Sequence, residues 1–171
     1  GVAETRGSVP REPGAAMLVW ANGQVGTIGG GALELAAAGA ARAQLSDRAD
    51  RRVSRHALGP GLGQCCGGAV TLVSELWDAL ALEPFRDAPA ILRRVQGDAD
   101  TPFALRHALK AARGEGVPVK VALEGGWLIE AVSRPTRTIW VHGAGHVGRA
   151  LIAVLTPLPG LEITWTATGP E

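Results

Sequence analysis

Residues 15–45, AAMLVWANGQVGTIGGGALELAAAGAARAQL, carry the signals that decide the fold of the first part of the chain. Two short apolar stretches, residues 15–20 and 24–28, flank Asn22-Gly23, a dipeptide that tolerates positive φ angles and so favours a tight hairpin turn. Three glycines follow, and residues 32–45 are rich in Ala and Leu, which predicts a helix. We therefore expect a β-hairpin that leads through glycines into a helix.

Downstream, strand-like and helix-like patterns alternate as far as residue 132. We predict strands over residues 51–58, 69–76, 118–124 and 127–132, helices over 88–95 and 102–113, and a glycine-rich loop over 59–68. This mixture indicates an α/β fold.

A linker is expected at Ser133-Arg134-Pro135, because proline lacks a backbone donor and favours extended geometry in the residue before it. Beyond it we predict a strand over 138–141, a helix over 146–155 and a strand over 161–165. The domain prediction is thus an N-terminal mixed α/β domain over residues 1–134 and the start of a Rossmann-like domain over 136–171. One strand–helix–strand unit cannot cover both faces of a parallel sheet, so we expect this chain to be a fragment.

Composition narrows the class of protein. The 171 residues are 46% hydrophobic, and the 17 Lys and Arg nearly balance the 16 Asp and Glu. Such a chain can bury a core, and it has neither the basic surface of a nucleic-acid-binding protein nor an apolar run long enough for a membrane span. Its two cysteines are adjacent, which gives no support for a disulfide framework. We expect a cytoplasmic protein.

The glycine triplet Gly29-Gly30-Gly31 stands at the predicted strand-to-helix junction. The first N–H groups of a helix lack intrahelical partners, and glycines let an anion approach the backbone closely, so a phosphate is the natural ligand. The loop over residues 7–14 adds Ser8 as a hydroxyl donor and Arg11 as a planar cation. A simple tight turn at the triplet, and a solvated surface loop before it, are the alternatives.

The adjacent thiols Cys65 and Cys66 lie on the glycine-rich loop and are the candidate metal ligands, with Gln64 beside them as a further cofactor-binding candidate. Neighbouring backbone donors favour a thiolate, and a soft thiolate suits molybdenum or a sulfur relay. The pair makes a poor zinc site, because structural zinc needs about four converging ligands. Two small buried side chains are the alternative interpretation.

The fourth motif, HGAGHVGR over residues 142–149, places a G-x-G-x-x-G after a strand and at the start of a helix. Its candidate cofactor-binding residues are Gly143, Gly145, His146 and Gly148. This context favours a Rossmann-type unit. The residues near Ala167 include no acid for a ribose hydroxyl, so the NAD(P) signal is much weaker than the fold signal.

Taken together, these residues resemble the xanthine dehydrogenase accessory protein family of the XdhC/CoxI type. The matching stretches are RGSVPRE (6–12), GTIGGGALE (26–34), GQCCGG (63–68) and GAGHVGRA (143–150). The resemblance implies a chaperone, not itself an enzyme, that binds the molybdenum cofactor, holds it while a cysteine desulfurase supplies sulfur, and inserts it into apo xanthine dehydrogenase or a related molybdoenzyme. We also expect a homo-oligomer.

The main alternative function is an NAD(P)-dependent oxidoreductase that uses the C-terminal glycine motif. A purely structural subunit that binds only partner proteins is a third possibility. Against the oxidoreductase, no acid/base pair accompanies the glycine motif, and most of the specific motifs lie outside it.

Overall fold

A computed structural model describes residues 1–59, 67–132, 137–158 and 160–167. It has the mixed helices and strands of an α/β protein, as predicted from the sequence. The chain divides into two compact units, residues 1–132 and 133–171.

The first sheet of the N-terminal unit is antiparallel, in the order β1-β5-β4, with β1 at Val2–Arg6, β4 at Arg51–Ala57 and β5 at Ala69–Glu75. The central strand, β5, is also the most buried, because it has a neighbour on each side. One face of this sheet contributes to a core that contains Val2, Ile28, Leu33, Leu58, Val70 and Leu72.

The hairpin and helix predicted from residues 15–45 are both present. Strands β2 (Met17–Trp20) and β3 (Gly23–Gly26) pair antiparallel, with Leu18 opposite Val25. Helix α1 runs from Gly31 to Asp47, and Leu33 and Ala38 are buried on its inner side. The glycine triplet therefore lies at the start of α1, as expected.

The second sheet has the order β6-β8-β7, with β6 at Ala90–Arg94, β7 at Ala122–Glu124 and β8 at Trp127–Ala131. The helix predicted over residues 88–95 is wrong, since this segment forms β6. Its Ala, Leu and Arg residues favour a helix locally, but all five residues of β6 pair with β8, and tertiary pairing overrides weak local propensity.

Two further elements complete the helices of this unit. Helix α3 runs from Phe103 to Glu115 and packs on β6, in agreement with the prediction. A short helix α2 (Ala79–Leu82) with a following 3₁₀ turn (Glu83–Phe85) was not predicted. The Asp78 carboxylate accepts a hydrogen bond from the Ala81 N–H at 2.7 Å and so caps α2.

The C-terminal unit contains β9 (Arg137–His142), α4 (His146–Leu155) and β10 (Leu161–Thr166). The two strands are parallel, with Ile139 opposite Ile163. All three predicted elements are present, and the crossover through α4 is the usual connection between parallel strands. A complete Rossmann arrangement stays a prediction.

Candidate functional site

The glycine loop between β3 and α1 has an unusual backbone. Gly29, Gly30 and Gly31 have φ angles of 126°, 75° and 63°, a region that side-chain-bearing residues rarely adopt. Gly30 is the N-cap of α1, and a Cβ added there would meet nothing within 4 Å. The three glycines therefore form a sharply turned backbone at the positive end of the helix dipole, and Gly30 is its open position.

The carboxylate of Glu34, in the first turn of α1, folds back over this loop. Its Oε2 accepts hydrogen bonds from the Thr27 hydroxyl at 2.5 Å, from the Ile28 N–H at 3.0 Å and from the Gly30 N–H at 3.0 Å. These bonds, that from Thr27 above all, lower the pKa of Glu34 below its ordinary value. Two backbone donors of the loop are thus already bonded to an anion of the chain itself.

Sequence reasoning quoted Glu34 within the motif but did not select it as a site residue. An acidic residue in the first turn of a helix is a recognisable signal, because it complements the helix dipole. Its contacts with Thr27 and Ile28 depend on how the loop folds back, which the local pattern does not specify.

The proline-rich loop that contains Ser8 and Arg11 lies against the glycine triplet. A Cβ built on Gly29 would lie 2.5 Å from Pro10 Cγ and 3.5 Å from Arg11 Cγ. Ser8 and Arg11 are both exposed. The Arg11 side chain therefore begins beside Gly29, close to the start of α1, and a cation near a helix N-terminus favours the binding of an anion.

The same loop also contacts the end of the cysteine-containing segment. A Cβ on Gly68 would collide with the carbonyl oxygens of Arg6 and Ser8, so the backbones of these residues touch there. The Leu58 N–H donates to the Gly68 carbonyl at 2.7 Å and brings the two ends of the intervening segment together. The proline-rich loop thus contacts both the glycine triplet, at Gly29, and the last residue of the cysteine motif, Gly68.

The predicted site residues of the cysteine motif, Gln64, Cys65 and Cys66, lie outside the described residues. Within the described ranges, no group of three or more His, Cys, Asp or Glu side chains is arranged to hold a metal ion. No helix in the same part of the chain is long and apolar enough to cross a membrane.

The other predicted glycines belong to the C-terminal unit, at the junction of β9 and α4. Gly143 has a φ angle of 100°, Gly145 is the N-cap of α4 and His146 is the first residue of the helix. Gly148 is buried, and a Cβ there would collide with the Gly143 carbonyl oxygen. That oxygen also accepts the Trp165 indole N–H at 3.0 Å, so Gly148 has a packing role that needs no nucleotide.

Sequence reasoning missed a buried polar cluster of the N-terminal unit that is centred on Arg93. The Arg93 guanidinium on β6 pairs with Glu75 on β5 and with Glu130 on β8, and Arg51 lies 3.3 Å from Glu75. Arg93 and Glu75 border a cavity of about 220 Å³ along α1. Of the predicted site residues that the structure describes, none lines this cavity.

Comparisons with known proteins agree with this architecture. The chain is similar in structure to a xanthine dehydrogenase from Bacillus halodurans, with a TM-score of 0.51 at 15% sequence identity. The match covers 95% of this chain and 56% of that one, so the chain spans a little over half the length of its structural relative. At this identity the likeness establishes the fold. No curated protein matches the sequence.

The fold therefore defines an α/β protein, and the glycine loop gives it a candidate anion-binding turn. Residues 1–55, which contain the proline-rich loop and the glycine triplet, match the model of the XdhC and CoxI family. Over these residues, the resemblance that the motifs indicated is confirmed.

Proposed function

We propose that this protein is an accessory factor that holds the molybdenum cofactor for a xanthine dehydrogenase or a related molybdoenzyme. The observation that carries the proposal is that the proline-rich loop contacts both the glycine triplet, at Gly29, and the last residue of the cysteine motif, Gly68. The match of residues 1–55 to the XdhC and CoxI family supports the same function.

The terminal phosphate of the cofactor is assigned to the glycine loop. Near Gly31 the first N–H groups of α1 have no intrahelical acceptor, and the Arg11 side chain begins next to Gly29. These groups supply donors and positive charge, while the absence of side chains at the triplet allows close approach. Ser8 is the third candidate contact.

The metal end of the cofactor is assigned to the cysteine loop. Cys65 and Cys66, with Gln64 beside them, follow in sequence from the strand that ends near Leu58, and the chain returns at Gly68 beside Ser8. A thiolate there would ligate molybdenum or accept sulfur during exchange. Adjacent side chains generally diverge, so we expect one thiol to face the cofactor.

The partners follow from this role. An apo xanthine dehydrogenase or a related molybdoenzyme would receive the cofactor, and a cysteine desulfurase would supply sulfur while the cofactor is held. We further propose that the protein acts without turning over a metabolite itself, and as a homo-oligomer.

The decisive experiment compares cofactor retention in two glycine variants. The chain is purified from cells that make the cofactor, and bound pterin and molybdenum are measured by absorption and elemental analysis. Gly30→Val places a β-branched side chain on the open face of the loop and should abolish retention. Gly97→Val is the matched control, because Gly97 also has a left-handed φ, of 65°, and open space around it, but lies outside the three motif loops.

Equal retention by a folded Gly30→Val variant and by the parent protein would exclude the glycine loop as the phosphate contact. Absorption of a bound nicotinamide instead of a pterin would favour the oxidoreductase alternative.

A separate measurement addresses the cysteines. Cys65→Ser and Cys66→Ser are tested singly and together for retained molybdenum and for activation of the apo-enzyme. Loss in one single variant identifies the ligand, whereas loss of activation with retention intact favours sulfur transfer. If the double variant matches the parent in both assays, the cysteines are structural.

A further inference from the structure

The glycine loop already contains an anion, the carboxylate of Glu34. A single oxygen, Oε2, accepts from the Thr27 hydroxyl and from the N–H groups of Ile28 and Gly30. The Thr27 hydroxyl oxygen in turn accepts the Gly29 N–H at 3.1 Å. The N–H groups of Ile28, Gly29 and Gly30 are therefore already bonded within the chain.

The bonds to this carboxylate differ from an ordinary helix cap. The N-cap residue of α1 is Gly30, which has no side chain, and no side-chain cap bond is formed from that position. The acceptor instead comes from Glu34, inside the helix, and reaches back to the residues before it. The carboxylate is thus held over the loop backbone where an external anion would approach.

We propose that Glu34 is a positioning residue that fills the anion position of the glycine loop with the chain's own carboxylate and so excludes small free anions such as inorganic phosphate. The inference rests on the proposed function in treating this loop as the element that meets the cofactor phosphate. A tethered carboxylate competes at a high effective concentration, so a free anion of similar size does not displace it.

A phosphate ester that also binds the protein at a second point can bind the loop in a way that a free anion cannot. It can reach the remaining N–H groups near Gly31 and the Arg11 cation without displacing Glu34. Glu34 would thus make the loop selective for a large phosphate ester over the inorganic phosphate present in every cell, while keeping the loop in shape.

The test uses inorganic phosphate as the probe and follows the amide resonances of Ile28 and Gly30 in the full chain. In the parent protein we expect no saturable change. Glu34→Ala frees both N–H groups and should bind phosphate at least about tenfold more tightly, because two charge-assisted hydrogen bonds become available. Retention of the molybdenum cofactor should fall in the same variant, because the loop loses its internal support.

Tighter binding of phosphate together with weaker retention of the cofactor would distinguish a positioning role of Glu34 from a purely structural one. Loss of a purely structural residue would weaken the binding of both phosphate and the cofactor. Glu34→Gln keeps an oxygen acceptor but loses the charge, so an intermediate gain in phosphate affinity is expected, and this variant decides the matter if Glu34→Ala does not fold. Glu12→Gln removes one negative charge from an exposed residue of the neighbouring loop and is the matched control.

The proposal is overturned if the folded Glu34 variants bind phosphate no more tightly than the parent, or if Glu12→Gln produces the same gain. Failure of the proposed function would look different, since the parent protein would then retain no cofactor while the phosphate comparison still reported on Glu34.

Discussion

At the scale of single residues, the hydrogen bonds of the Glu34 carboxylate are expected to make stability depend on pH. Its pKa is lowered by the hydrogen bond from Thr27 and then by the N–H groups of Ile28 and Gly30. The folded protein therefore holds this carboxylate ionised at pH values where the unfolded chain would already bind a proton. Its stabilising contribution is present above the ordinary glutamate pKa of about 4.3 and is lost as the pH falls through the lowered value.

We therefore predict that Glu34→Gln lowers the free energy of unfolding by about 1 kcal/mol at pH 7, since hydrogen bonds to a charged, partly exposed group are lost or weakened. The difference from the parent should shrink below about pH 4. Urea unfolding at a series of pH values measures it. A difference that stayed constant down to acidic pH, or the same pH dependence in Glu12→Gln, would contradict the prediction.

At the scale of elements, the fit of α4 against β9 depends on Gly148. The space that a Cβ would need there is taken by the Gly143 carbonyl oxygen at the end of β9. Gly39, in the middle of α1, is exposed, and a Cβ added to it meets nothing within 4 Å. The same substitution is therefore expected to have opposite signs in the two helices.

We predict that Gly148→Ala destabilises the C-terminal unit by about 1–3 kcal/mol, because the helix must move away from the strand. Gly39→Ala should stabilise the N-terminal unit by up to about 1 kcal/mol through helix propensity. Amide hydrogen exchange, read separately for β9 and for α1, measures both. Unchanged protection of β9 in Gly148→Ala would show that α4 does not require this close approach.

At the scale of the whole molecule, the two three-stranded sheets of the N-terminal unit are joined by a buried ion pair. Glu75 on β5 has a side chain that is only 5% exposed, and its oxygens accept from Arg93 Nε at 2.8 and 2.9 Å. Arg93 Nη1 is buried and has no hydrogen-bond partner among the described residues. The Arg93 guanidinium also lies 5.4 Å from the Trp77 ring.

Removing Arg93 would leave the Glu75 carboxylate buried with fewer partners. We predict that Arg93→Ala lowers the free energy of unfolding by about 3 kcal/mol or more. Arg86→Ala, which breaks the exposed ion pair with Glu83, should have little effect and serves as the control. Chemical denaturation compares the two variants, and similar losses in both would show that the buried pair does not hold the sheets together.

Much of the local architecture was determined by the sequence alone. Asn22-Gly23 specified the hairpin, the alanine-rich run specified α1, and the spacing of Gly143, Gly145 and Gly148 specified a strand that leads into a helix. These signals depend on the φ preferences and side chains of neighbouring residues, which the printed order already contains. The motifs over residues 6–12 and 26–34 likewise indicated the family whose model matches residues 1–55.

The tertiary structure alone decided the conformation of residues 88–95 and the contacts between segments that are distant in sequence. Residues 88–95 have helix-forming composition but become β6, because β8 supplies a partner along the whole strand. The contacts of Ser8 with Gly68, of Pro10 with Gly29, and of Arg93 with Glu75 join segments that are distant in sequence. Such contacts depend on which surfaces are buried together when the chain folds, and no local pattern of residues encodes that choice.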